Sequence, residues 1–159
     1  MSRNKIHNTL AIRELKANGI EFEAFNYEYE EKGGTAQTAR ELNVDEYKVI
    51  KTLVLDANGA LILMLMHGNK EVSLKRLANF LDVKNVKPAD AKKAMNATGY
   101  LFGGTSPFGT KKKLPVFAET TIFNLNEIYI NGGKRGFIVK INPKSLEDVF
   151  EIHKVDVAI

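Results

Sequence analysis

Three groups of residues in this chain could do chemistry. The first is Lys51, which interrupts the apolar run Val49-Ile50-Lys51-Thr52-Leu53-Val54-Leu55. An ammonium group is seldom buried without a partner. Two readings stay open: the stem covers apolar surface while the head reaches water, or the lysine points into a pocket, where partial burial tunes its charge and aims it at a carbonyl or phosphate. The second group lies in Thr98–Pro115, which holds four glycines, two prolines and a run of three lysines. Within it, Gly103-Gly104-Thr105-Ser106-Pro107 is the candidate pocket wall. Glycine lets a backbone take positive φ and approach a ligand closely, Pro107 biases Ser106 to an extended conformation, and free N–H groups in such a loop can face an anion or a carbonyl oxygen. The third group is cationic. Lys111, Lys112, Lys113, Lys134 and Arg135 flank or sit within glycine-rich turns. They read either as contacts to phosphates or as a solvated charged face.

What is missing narrows the chemistry. With no cysteine there is no disulfide framework, thiolate metal site or thiol nucleophile. His7, His67 and His153 have neither metal-ligand spacing nor an evident triad partner. No G-x-S-x-G elbow surrounds Ser106. The expectation is therefore no metal, no cofactor and no covalent enzyme intermediate. A net charge of +4 and a pI near 9.2 permit a nucleic-acid partner without requiring one. The longest apolar run, Ala60 to Met66, is too short to span a bilayer, and the N-terminus is polar. These features predict a soluble, cytoplasmic protein with no membrane partner; oligomeric state is not readable.

The elements that must position these residues follow from pattern and punctuation. Residues 4–18 read as a helix stopped by Gly19. Ile20 to Tyr27 reads as a strand, and Thr35 as the N-cap of a helix over Ala36 to Leu42. Val49 to Ala57 and Ala60 to Met66 form a hairpin turned at Asn58-Gly59. Ser73 caps a helix over Leu74 to Leu81. A short strand is expected over Lys84 to Lys87, and Pro88 opens a helix over Ala89 to Met95. Leu114 to Glu119, Ile128 to Asn131 and Phe137 to Ile141 read as strands, followed by a helix ending at Phe150. Strands and helices do not alternate regularly. The fold class is therefore α+β, one compact domain over residues 1–159, with a mixed, mostly antiparallel, barrel-like sheet and peripheral helices.

Lys51-Thr52-Leu53, then Gly99-Tyr100-Leu101-Phe102-Gly103-Gly104-Thr105-Ser106-Pro107 with Gly109 and Lys111-Lys112, then Tyr129 to Gly136 with Gly132-Gly133-Lys134-Arg135-Gly136, resemble the bacterial YbaK-type Cys-tRNA(Pro) deacylases. That family is similar to the insertion editing domain of prolyl-tRNA synthetase. The resemblance spans nearly the whole chain. It implies removal of cysteine wrongly attached to tRNA(Pro), with the substrate's own thiolate attacking its ester and leaving a cyclic thiolactone. It implies that Lys51 is essential, that Gly103 lines the pocket and that Tyr27 lies near the substrate. The backbone around Gly103 to Ser106 then becomes the candidate oxyanion donor. The implied partners are the acceptor end of an aminoacyl-tRNA and a prolyl-tRNA synthetase. There are two departures. The loop after the first strand ends Lys32-Gly33-Gly34-Thr35, without the family's aromatic and acidic residues, and no acid follows Gly136. Two alternatives remain: deacylation of another misacylated tRNA such as Ala-tRNA(Pro), or a non-catalytic tRNA- or synthetase-binding module.

Overall fold

The computed structural model describes residues 3–159. Its centre is the hairpin of β2 (Val49–Ala57) and β3 (Ala60–His67). β-branched and large apolar residues make both strands. Asn58 (φ 54°) and Gly59 (φ 100°) both take positive φ at the two-residue turn, as a type I′ hairpin demands. Further strands extend this pair to both sides: β1 (Glu23–Asn26), β4 (Val86–Pro88), β5 (Val116–Glu119), β6 (Ile128–Lys134), β7 (Phe137–Ile141) and β8 (Ile152–Val155). The order is β1-β7-β6-β2-β3-β5-β8, with β4 also paired to β2. β2 runs parallel to β6 but antiparallel to β3 and β4. The sheet is thus mixed and mostly antiparallel, but it is open rather than closed like a barrel. Its end strands β1 and β8 do not pair. Part of β1's free edge is instead taken by the N-terminal segment, where the Asn26 amide donates to the Arg3 carbonyl at 2.7 Å.

β3 shows why the sheet is central. Leu63 and Leu65 enter one core, and Ile62, Met64 and Met66 enter another on the opposite face. The first core is large and includes Ala11, Ile12 and Leu15 of helix α1 (Leu10–Ala17). The opposite face is covered in two separate pieces. Helix α3 (Leu74–Leu81) packs over Leu55, Ile62 and Met64, while helix α2 (Gly34–Leu42) packs near Val49, Tyr129 and Ile138. Along β2, Val49 belongs to one small core and Leu53 and Leu55 to the other. Lys51 falls between them on the same face, where neither helix covers the strand.

Several boundaries differ from the sequence-based expectation. The first helix begins at Leu10 rather than residue 4, because the Thr9 hydroxyl accepts from the Ile12 amide and sets the N-cap. Thr35 is inside α2 rather than its cap, and its hydroxyl donates to the Glu46 carboxylate at 2.7 Å. Pro88 ends β4 instead of opening a helix; α4 (Ala91–Thr98) starts after Asp90, whose carboxylate accepts from the Lys93 amide. After α5 (Ser145–Val149), the chain forms β8, a strand with no clear signal of its own. It is set by parallel pairing to β5.

Candidate functional site

A gap in strand pairing opens beside Lys51. The β2–β6 ladder covers Val49 and Ile50, and the β2–β4 ladder resumes at Leu55. The Val49 carbonyl accepts from Gly68 on the β3 side, and the Val54 carbonyl accepts from Ala89 on the opposite side. Peptide groups alternate in direction along a strand. The N–H and C=O of Thr52 therefore face the gap, where no strand pairs with them. The Thr52 hydroxyl is also buried, with no hydrogen-bond partner among the described residues. An unsatisfied buried hydroxyl costs about 1–3 kcal/mol; this one belongs to a side chain on the face of β2 that carries Ile50 and Val54, opposite Lys51. Sequence reasoning passed over Thr52 because a threonine in a strand is ordinary.

The gap is the floor of a cleft of about 400 Å³. Lys51, Thr52, Tyr100, Phe102, Thr105 and Glu71 supply its polar and aromatic lining, with aliphatic residues from β2, α3 and α4 around them. The fold thus brings Lys51 and the glycine-rich loop to one place. The Lys51 ammonium makes one long hydrogen bond, 3.4 Å to the Gly68 carbonyl. Burial pulls its pKa below that of an ordinary lysine, and the carboxylates of Glu71 and Glu46 oppose the shift only in part.

The loop is rigid for identifiable reasons. The buried Tyr100 hydroxyl donates to the Phe108 carbonyl at 2.5 Å, and Phe108 is fully buried. Burial pushes the Tyr100 pKa up, so this hydroxyl stays a donor. The amides of Lys111 and Lys112 return to the carbonyls of Thr98 and Ala97. Ser106 is buried too, and its hydroxyl accepts from the Phe108 amide. Ser106 and Pro107 therefore face away from Lys51; Pro107 lines a second cleft, of about 680 Å³, with Lys111 and Lys113. The Gly104 amide is engaged by the Leu101 carbonyl in a turn.

Gly103 and Gly104 are small for a packing reason that the sequence did not disclose. A Cβ on Gly104 would lie 2.9 Å from the Arg135 amide nitrogen, and one on Gly103 would lie 2.5 Å from the Tyr29 hydroxyl. The loop is thus seated directly on the β6–β7 turn. Asn131 joins the two: its side-chain amide donates to the Gly103 carbonyl, while its Oδ1 accepts from the Gly133 and Lys134 amides. The same Asn131–Lys134 segment is a bulge in the β6–β7 ladder.

The other candidates are dispersed. Tyr27 does not line the Lys51 cleft; its hydroxyl is 2.7 Å from that of Thr38, beside α2, and burial raises its pKa. Lys134 and Arg135 are exposed near Phe102, whereas Lys111 and Lys113 belong to the second cleft, and Lys112 is exposed. Of the histidines, His7 hydrogen-bonds Asn26 and His153 stacks on Phe117. His67 is fully buried, with Nδ1 2.7 Å from the Tyr47 carbonyl and Nε2 2.7 Å from the Thr121 hydroxyl. Among the described residues, no cluster of three His, Cys, Asp or Glu is placed to hold a metal ion, and no helix is long and apolar enough to cross a membrane.

His67 gives a testable stability effect. Burial lowers its pKa below 6.5, so below pH 6.5 the unfolded chain takes up a proton that the native state resists. Stability is full above that pH, falls as pH drops below it, and levels off below the native pKa. Denaturant midpoints across pH 4–8 are expected to fall less for His67→Gln than for the wild type. Parallel curves for the two proteins would refute the assignment.

Comparison with known proteins gives the family and the fold. The family model of the aminoacyl-tRNA editing domain matches residues 30–149. The chain is 28% identical over 140 residues to an Enterococcus faecalis protein provisionally named Cys-tRNA(Pro)/Cys-tRNA(Cys) deacylase EbsC, covering 87% of this chain and 85% of that one. It is 27% identical to a proline–tRNA ligase of Listeria innocua over 82% of this chain, but spans only 23% of the ligase. A solved structure described provisionally as a trans-editing enzyme for prolyl-tRNA synthetase superposes with a TM-score of 0.85 at 18% identity, covering 98% of this chain and 99% of the other. That likeness establishes the fold.

Proposed function

Because the chain belongs to the aminoacyl-tRNA editing domain family, we propose that it deacylates a mischarged tRNA, with Cys-tRNA(Pro) as the substrate. The observation that carries this reading is the joining of Lys51, the strand-gap backbone of Thr52 and Thr105 in one cleft whose lining includes no Cys, Ser or His. A cleft that holds and polarises an ester without attacking it suits a substrate that brings its own nucleophile. The cysteinyl thiolate attacks its ester carbonyl, the C–O bond to the terminal ribose breaks, and that oxygen takes a proton. The products are a thiolactone and free tRNA. The attack is intramolecular, so orientation supplies much of the acceleration. Thr52 is suited to fix the aminoacyl group, with its C=O toward the ammonium and its N–H toward the ester. Lys51 stabilises the negative charge that develops on the carbonyl oxygen. Selectivity then comes from chemistry, because an alanyl or prolyl ester has no thiol to cyclise. Gly103 and Gly104 support this site by seating the loop on the β6–β7 turn, and a prolyl-tRNA synthetase is the partner that would deliver tRNA(Pro).

The test is clearance of Cys-tRNA(Pro), Ala-tRNA(Pro) and seryl-tRNA by the wild type. Cysteine is expected to be removed, and the seryl ester at least about 100-fold more slowly, because a hydroxyl is far less ionised than a thiol near neutral pH. Clearance of the alanyl ester alone would reassign the substrate. Binding of tRNA with no clearance would leave a binding module. Comparable seryl turnover would replace cyclisation by hydrolysis. The exposed Glu71 carboxylate at the same cleft would then be the general base for water, and Glu71→Gln should abolish activity. Thr52→Val, which removes only a buried hydroxyl without a partner among the described residues, is expected to leave thermal stability unchanged or raised. A loss of thermal stability would contradict that expectation.

A further inference from the structure

Among the described residues, the most exposed large apolar side chain is that of Phe102, at 83%. It stands at the rim of the Lys51 cleft. A lone exposed aromatic means little by itself, but this one is held in place. Leu101–Gly104 is a β-turn closed by the Gly104 amide on the Leu101 carbonyl at 2.9 Å. Phe102 occupies the second position and Gly103, with φ 89°, the third, which is the type II pattern. The Arg135 Nε donates to the Phe102 carbonyl at 2.8 Å, and the Asn131 side chain donates to the next carbonyl, that of Gly103. The Arg135 guanidinium also lies 5.1 Å over the Tyr29 ring. The backbone under Phe102 is thus braced from three sides while the ring projects into solvent. Exposed cations flank it at Lys134 and Arg135.

An exposed, pre-positioned ring with cations beside it and a cleft behind it fits a single-stranded nucleotide end. Bases stack on aromatic faces, and neighbouring phosphates meet the cations. We propose that Phe102 is the stacking platform for the terminal adenine of the tRNA acceptor end, so that the esterified ribose is delivered over the Lys51 cleft. This inference rests on the deacylase reading for the identity of the ligand, but its test does not depend on turnover. Lys134 and Arg135 would meet the phosphates next to that nucleotide, making binding salt-dependent.

The probes are two uncharged acceptor-stem minihelices, one ending in CCA and one with an abasic sugar in place of the last nucleotide. Their Kd values are measured for wild type, Phe102→Ala and Phe102→Trp. Removing the base is expected to weaken wild-type binding about tenfold. It should make no difference to Phe102→Ala and about the same difference to Phe102→Trp as to wild type. The proposal is overturned if the base contributes equally in wild type and Phe102→Ala, or if the wild type does not distinguish the two minihelices or binds neither. A wild type that clears no aminoacyl-tRNA but keeps the Phe102-dependent preference for the base would overturn the deacylase reading alone. Circular dichroism on each variant checks folding, which an 83% exposed side chain has little reason to disturb.

Discussion

Replacing Lys51 with alanine is expected to lower kcat/KM for cysteinyl-tRNA by at least about a hundredfold, the usual scale for removing a group that stabilises a developing oxyanion. The loss should fall mainly on kcat, because the charge is needed most in the transition state. Stability should not follow. Burial holds the Lys51 pKa below 10.5, so the native state disfavours the ammonium. Stability then rises with pH between the lowered native value and 10.5, and the charged lysine costs stability at neutral pH. Lys51→Met keeps the stem, removes the charge and is expected to match or exceed the wild-type Tm while being inactive. The same shift predicts the pH profile. Activity rises with ionisation of the substrate thiol, near about 8.5 in the free amino acid side chain. It falls again as Lys51 deprotonates, at a pH below the 10.5 of an ordinary lysine. Lys51→Arg should lose that alkaline limb, because a guanidinium stays charged. An alanine variant with wild-type kcat would remove Lys51 from the mechanism.

Gly104→Ala is the second large effect. Its Cβ would meet the Arg135 amide nitrogen at 2.9 Å and the Lys134 carbonyl carbon at 3.1 Å. Both are backbone atoms, so no side-chain rotation relieves the contact. The glycine-rich loop must lift off the β6–β7 turn, straining the Asn131–Gly103 and Arg135–Phe102 hydrogen bonds. A cost of about 2–4 kcal/mol is expected from overpacking plus the disturbed hydrogen bonds, together with loss of deacylation. Gly19→Ala is the control. Gly19, unlike Gly104, has positive φ, 66°, and nothing lies within 4 Å of its Cβ position, so only left-handed strain of about 1–2 kcal/mol applies. Urea denaturation of the two variants separates the cases. A Gly104→Ala loss well below that of Gly19→Ala would mean that contact with the turn is unimportant.

Local signals served well where local chemistry decides. Asn58-Gly59 marked the central hairpin, Ser73 marked the start of α3, and both elements have the expected starts. Local signals failed where a partner decides. Thr35 looked like a cap but is engaged by Glu46 and Gly68. Pro88 looked like a helix start but pairs with Leu55 in the sheet. Ile152–Val155 carries little pattern and becomes a strand by pairing with β5. The site divides in the same way. Lys51 and the pairs Gly103-Gly104 and Gly132-Gly133 stood out because a charge in an apolar run and clustered glycines are improbable without a reason. Thr52, Asn131 and Tyr29 did not, because their residue types are unremarkable where they stand.

The sequence by itself determined that the chain is α+β, that it carries no thiol of its own, and that Lys51 and Gly103-Gly104 are the residues to follow; each of these depends on composition or short-range pattern. Only the tertiary structure decided that Lys51 lies in the gap left by α2 and α3, and that the backbone N–H and C=O of Thr52 face the break in strand pairing beside it. It also decided that Ser106 and Pro107 turn away while Phe102 turns outward. Those outcomes depend on which strands end where. Strand pairing is settled by contacts between distant residues and not by any one segment's preference.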